Sequence, residues 1–170
     1  MDMEDIIINK VSESGLLTID LEGYFPKEEI IGFDLTPFLF MGQILKEKDF
    51  RESIQNEDWS KYAGKAVAVF CSADAIIPAW AYMLVSSNLS GIAHTVYAGT
   101  PEDLEKSLFI KNLEKINAAD YNDKRVVIKG CGDKQIGAFA YLEITRILKP
   151  VVKSLMYGEP CSTVPVYKKR

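Results

Sequence analysis

Cys71, Cys131 and Cys161 are the three cysteines of this chain, and each follows a short apolar run at a polar or glycine-bearing turn. Thiolates are nucleophiles and soft metal ligands. Three sulfurs with one oxygen suit zinc or an iron–sulfur cluster better than magnesium or calcium. Asp74, Asp133 and Glu102 are the candidates for the oxygen contact. No Cys-x-x-Cys pair occurs, so a shared site requires distant segments to converge in the fold. An odd thiol count in a reducing compartment argues against a structural disulfide.

Other readings of the same residues stand beside the metal one. Cys131 or Cys71 at a strand-to-helix turn would face the positive end of a helix, which favours a nucleophilic thiolate, with the Gly132 N–H helping to hold an oxyanion. Unpaired cysteine is also among the most buried residue types, so the thiols of a non-catalytic interaction module would simply be packed. Asp74 and Asp133 occupy positions where a helix N-cap belongs. Gly130 and Gly132, with Gly137 later, follow an apolar run and open a helical segment, which makes them candidates for a phosphate-cradling cofactor loop. Their spacing departs from the dinucleotide fingerprint, and no Gly-Lys-Ser/Thr follows. The one histidine, His94, belongs to the start of its strand, a strand's length from any cysteine, and is a poor base for them.

The elements that must position these residues follow from the pattern of apolar runs. Near the N-terminus, Leu16–Leu21 and Ile30–Leu35 read as a pair of short strands. Thr36-Pro37 then signals a helix start, with Phe38–Leu45 as a buried helical stretch and Lys46–Gln55 as a second one that buries Phe50 and Ile54. From residue 65, the runs Ala66–Phe70, Ala93–Ala98, Val126–Gly130 and Val151–Tyr157 alternate with helical segments. That alternation predicts a mainly parallel sheet covered by helices, an α/β fold. Trp80, Tyr82, Phe139 and Tyr141 are expected on the sheet-facing sides of two equivalent helices.

The segments 65–101 and 125–160 also resemble each other. Val67 aligns with Val127, Cys71 with Cys131, Asp74 with Asp133, Ala81-Tyr82 with Ala140-Tyr141, and Gly99-Thr100-Pro101 with Gly158-Glu159-Pro160. This reads as one duplicated strand–helix–strand unit. Both copies are expected in one parallel sheet, whose strands all end on the same edge, so Cys71, Cys131 and Cys161 with Glu102 should share its carboxyl edge, where open α/β sheets bind ligands. Glu102 follows Pro101 where Cys161 follows Pro160.

At 170 residues, 48% hydrophobic and 26% charged, the chain can bury a substantial core as one domain, residues 1–170, in which residues 1–64 precede the repeat. A net charge of −4, with a basic run confined to Lys168-Lys169-Arg170, disfavours nucleic acid as a partner. No apolar run approaches the ~20 residues that span a bilayer, and the acidic N-terminus carries no targeting pattern, so no membrane association and a cytoplasmic location are expected.

The runs 71–78 (CSADAIIP), 127–131 (VIKGC) and 158–165 (GEPCSTVP), together with Leu45–Phe50, resemble the hallmark segments of a bacterial family, domain of unknown function 2480. The likeness extends over nearly the whole chain. It brings no catalytic residues to carry over, and implies iron–sulfur assembly proteins as neighbours and partners. The combined expectation is a protein that binds zinc or an iron–sulfur cluster as an accessory in metal or cluster handling.

Overall fold

Each strand in the computed structural model, which describes residues 15–130, 132 and 134–170, belongs to one of two separate sheets. The seven strands are β1 (Leu16–Asp20), β2 (Ile30–Asp34), β3 (Ala66–Phe70), β4 (Thr95–Ala98), β5 (Arg125–Lys129), β6 (Ser154–Glu159) and β7 (Ser162–Lys168). Four α-helices accompany them: α1 (Glu47–Gln55), α2 (Ala79–Leu89), α3 (Pro101–Glu114) and α4 (Ala138–Leu148). The fold is α/β, with one wholly parallel sheet and one mixed sheet. The chain divides into two compact units, residues 26–108 and residues 1–25 with 109–170.

The unit of residues 26–108 holds the parallel sheet, in the order β2-β3-β4. Its centre is β3, whose Ala66, Val67, Ala68 and Val69 are all at most 2% exposed. A strand buried on both faces carries no polar alternation, which is why Ala-Val-Ala-Val-Phe reads as a continuous apolar run. Val67 and Val69 pack with Phe33, with Phe50 and Ile54 of α1, and with Ala81, Val85 and Leu89 of α2. Ala66 and Ala68 turn to the other face and meet Leu104 and Leu108 of α3. Alanine on that face allows a helix to approach closely.

The other unit holds the mixed sheet, in the order β1-β5-β6-β7, with β7 antiparallel to β6. Val126, Ile128 and Leu155 form one core with Ala140, Ile144 and Leu148 of α4 and with Phe109 and Leu113 from the second half of α3. Spacings of four residues along α4 put its three buried residues on one stripe.

An aspartate or asparagine opens a short 3-10 turn by accepting the N–H two residues ahead: Asp20 from Glu22 at 3.0 Å, Asp34 from Thr36 at 2.9 Å, Asp58 from Ser60 at 3.0 Å and Asn117 from Ala119 at 3.3 Å. This is the local preference of Asx side chains for turns. The device ends β1 and β2 and precedes β3 and β5.

Several sequence expectations change here. β1 and β2 are strands, but they are not paired with each other: β1 joins β5 and β2 joins β3. Phe38–Leu45 is not a helix. The signal at Thr36-Pro37 produces one 3-10 turn, Thr36–Phe38, after which Met41 (φ 53°) and Gly42 (φ 71°) turn the chain back so that Phe40 bridges Ile44. Left-handed residues cannot continue a helix. The tail after Cys161 is a strand, β7, through Lys168.

Candidate functional site

The two similar segments fall in different sheets, so a common sheet edge does not gather the three thiols. Cys71 follows β3 in the parallel sheet, whereas Cys161 occupies the turn between β6 and β7 of the mixed sheet. Cys131 and Asp133 lie outside the described residues. Asp74 and Glu102 belong with Cys71 to the unit of residues 26–108. Among the described residues no group of three or more His, Cys, Asp or Glu side chains is close enough to hold a metal ion.

At the carboxyl edge of the parallel sheet, Asp34 ends β2 beside the loop that leaves β3. Its carboxylate accepts the Ser72 N–H at 3.0 Å and the Ser72 hydroxyl at 2.5 Å, in addition to the Thr36 N–H. The Thr36 hydroxyl lies 2.9 Å from Ser72 Oγ and accepts the Ala73 N–H at 3.0 Å. Partial burial pushes the Asp34 carboxyl upward, but the hydrogen bonds from Ser72 and Thr36 outweigh it and hold the pKa at about 2. This network fixes the loop as a rigid cross-strand tie.

Cys71 sits beside that tie, half-buried, with its Sγ 3.5 Å from Thr36 Oγ1. A nucleophilic role needs a base and, in the sequence reading, a helix N-terminus. His94 precedes β4 at the opposite strand end, 3.8 Å from Glu28. α2 begins at Ala79 with Pro78 as an N-cap that makes no side-chain bond, so neither Cys71 nor Asp74 stands at the helix start. The physical reason is Pro78, which keeps Ile77 extended and cannot lie inside the helix. Glu102 is in the first turn of α3, where the capping role belongs to Thr100 and Asp103, which exchange bonds of 3.0 to 3.2 Å.

The carboxyl edge of the mixed sheet is richer in charge. Lys129 at the end of β5 lies 3.8 Å from Asp20 at the end of β1 and 3.6 Å from Glu159 at the end of β6. Glu22 adds a third carboxylate, and its Oε1 accepts the Lys134 N–H at 3.0 Å. The glycines proposed to cradle phosphate have closer occupants: a Cβ on Gly132 would collide with the Glu22 carboxylate, and one on Gly130 with the Tyr141 hydroxyl. Tyr141 Oη donates to the Gly130 carbonyl at 3.3 Å. These glycines let side chains of the chain itself approach the loop backbone.

The β6–β7 turn has its own glycine requirement. Gly158 has φ 119°, and a Cβ there would meet the Ser162 carbonyl oxygen at 2.5 Å. In the first segment the matching Gly99-Thr100-Pro101 leads into α3, whereas Gly158-Glu159-Pro160 leads into the hairpin that exposes Cys161.

Sequence reasoning missed two concavities of the mixed-sheet unit. A groove of about 690 Å³ runs between α4 and the β6–β7 hairpin, lined by Tyr141, Leu142, Tyr157, Val164 and Val166 among others. A second cleft, of about 450 Å³, gathers Arg125, Lys153 and Lys168 at the amino ends of β5 and β6. In the sequence Lys168 belongs to the closing basic run Lys168-Lys169-Arg170. The signal lay in basic residues at the ends of three strands, and their meeting depends on strand order.

Two α/β units, one with a parallel sheet and one with a mixed sheet, thus define the class of protein. Among the described residues no helix is long and apolar enough to cross a membrane. Residues 5–169 match the family described as "Protein of unknown function (DUF2480)", and the chain belongs to that family. No curated protein and no solved structure matches it.

Proposed function

We propose that the protein binds a soft metal, zinc or the iron of an iron–sulfur cluster, through Cys131 and Cys161, which follow β5 and β6 in the sequence. In this reading it serves in the cytoplasm as an accessory to metal or cluster handling. The supporting observation is the adjacency of β5 and β6: their final residues, Lys129 and Glu159, are 3.6 Å apart at the side chains. Cys131 and Cys161 each follow two residues later in the sequence. Asp133 and Glu159 are then the oxygen donors within the same stretch, and Asp20 and Glu22 make the edge attractive to a cation. Two thiolates with carboxylates suit zinc better than a hard cation. This reading keeps to one unit and does not call on Cys71, Asp74 or Glu102, which belong to the other.

The same reading includes the ancestry of the site. Both units run strand, helix, 3-10 turn, strand, helix, strand, and both first strands end on an aspartate that opens a 3-10 turn. This supports descent from one duplicated unit, in which Cys71 and Cys131 are equivalents and the second copy gained a hairpin with Cys161.

The test is metal analysis and visible absorption of anaerobically purified protein and of three serine variants. Bound zinc or iron that is lost in Cys131→Ser and Cys161→Ser and kept in Cys71→Ser supports the reading. Metal-free protein, or metal retained in Cys161→Ser, overturns it.

A further inference from the structure

The amino edge of the mixed sheet carries a site of different chemistry. Arg125 opens β5, Ser154 opens β6 and Lys168 closes β7, and the register pairs Arg125 with Ser154 and Ser154 with Lys168. Paired residues on neighbouring strands direct their side chains to the same face. A hydroxyl is therefore flanked by two cations across roughly 10 Å, two strand spacings. Met156 and Pro165 are the next pair on that face. The register shift between Leu155 and Met156 is what lets Lys168 and Pro165, three residues apart in β7, share it.

These residues line one cleft of about 450 Å³, with Lys153 and Tyr167 completing it. Among the described residues no carboxylate lines the cleft. Asp123, at this edge, lies 3.9 Å from Lys169 instead. Concentrating three cations on one small concavity of a chain whose net charge is −4 costs self-repulsion. A dianion relieves that repulsion, and the volume falls within the ~300–1,000 Å³ of small-molecule sites.

We propose that this cleft binds a phosphate monoester with a compact apolar body. The Arg125 fork and the Lys153 and Lys168 ammonium groups meet the phosphate oxygens, and the Ser154 hydroxyl donates from between them. The body of the ester rests on Met156 and Pro165. The cleft lies at the opposite ends of β5 and β6 from the thiol edge, and neither proposal depends on the other.

Phenyl phosphate, titrated calorimetrically into the full chain at about 150 mM salt, is the probe. Saturable binding is expected. Arg125→Gln and Lys168→Gln should each weaken it at least about tenfold, the scale of one lost charge-assisted hydrogen bond. Lys48→Gln, on the exposed side of α1, should leave it unchanged. Ser154→Ala, which keeps all three cations, should weaken it by a smaller factor, and circular dichroism checks that each variant is folded. Benzoate, with one charge on the same ring, should bind at least about tenfold more weakly. No saturable binding to folded wild type, equal binding by Arg125→Gln, equal binding of benzoate, or preference for an oligonucleotide with a steep salt dependence would each overturn the proposal.

Discussion

Replacing Asp34 by Asn removes the charge from the tie that joins β2 to the loop after β3, while nearly keeping its shape. The carboxylate accepts bonds from Thr36 N–H, Ser72 N–H and Ser72 Oγ–H, at 2.9, 3.0 and 2.5 Å. Despite the opposing effect of burial, they bring its pKa from an ordinary 3.8 to about 2. At 1.36 kcal/mol per pH unit, that fall would be worth roughly 2.5 kcal/mol. Asp34 is partly exposed, and screening by solvent brings the expected value to about 1–2 kcal/mol. The sign follows from the direction: a carboxyl with a depressed folded pKa stabilises the protein above the unfolded value and ceases to do so as pH falls toward 2. Wild type should therefore exceed Asp34→Asn by about 1–2 kcal/mol at pH 7, and the gap should close between about pH 4 and pH 2. Urea denaturation followed by tryptophan fluorescence is a suitable assay, because Trp59 and Trp80 both lie in the unit that contains Asp34. A gap below about 0.3 kcal/mol at pH 7, or one that stays constant down to pH 2, would refute the assignment of the tie to a charged carboxylate.

Three further outcomes can be measured. Phe50→Ala should cost about 3–5 kcal/mol in the same assay, since the ring is fully buried and sits edge-on to Phe38 at 5.3 Å and Trp80 at 5.9 Å. Gly158→Ala should cost at least about 2 kcal/mol and raise the susceptibility of the β6–β7 hairpin to proteolysis, whereas Gly23→Ala, with open space around its Cβ, should leave the hairpin protected. In folded, metal-free protein, a thiol-reactive dye should modify exposed Cys161 quickly and half-buried Cys71 slowly, so that Cys161→Ser removes a fast phase and Cys71→Ser does not.

Much of the local structure was legible. β3 matches the run Ala66–Phe70, and α1 buries Phe50 and Ile54 as their spacing requires. Both depend on periodicity within a few residues. Helix starts were legible only in part, because Asp74 resembles a cap while Pro78, four residues later, decides where α2 begins. β7 escaped notice for an opposite reason: Pro165 and the closing basic residues speak against a strand, yet both are compatible with an edge strand, which is what β7 is. The candidate site was the least legible feature. Cys71 and Cys161 were visible as residues, but their sharing an edge rested on a single sheet, and the cleft of Arg125, Lys153 and Lys168 has no sequence motif.

By itself, the sequence determined the α/β class, most of the strands, the amphipathic face of α1 and the likeness between residues 65–101 and 125–160. These depend on interactions between neighbours along the chain, which residue type and spacing encode directly. The tertiary structure alone decided that β1 joins β5 while β2 joins β3, and so that the similar segments build two sheets. Strand partners are chosen by burial and backbone pairing between segments more than a hundred residues apart, as with Leu16 and Arg125, and many strands of similar composition could satisfy one edge. The same choice places Cys71 and Cys161 by different sheets and brings Arg125, Ser154 and Lys168 into one row.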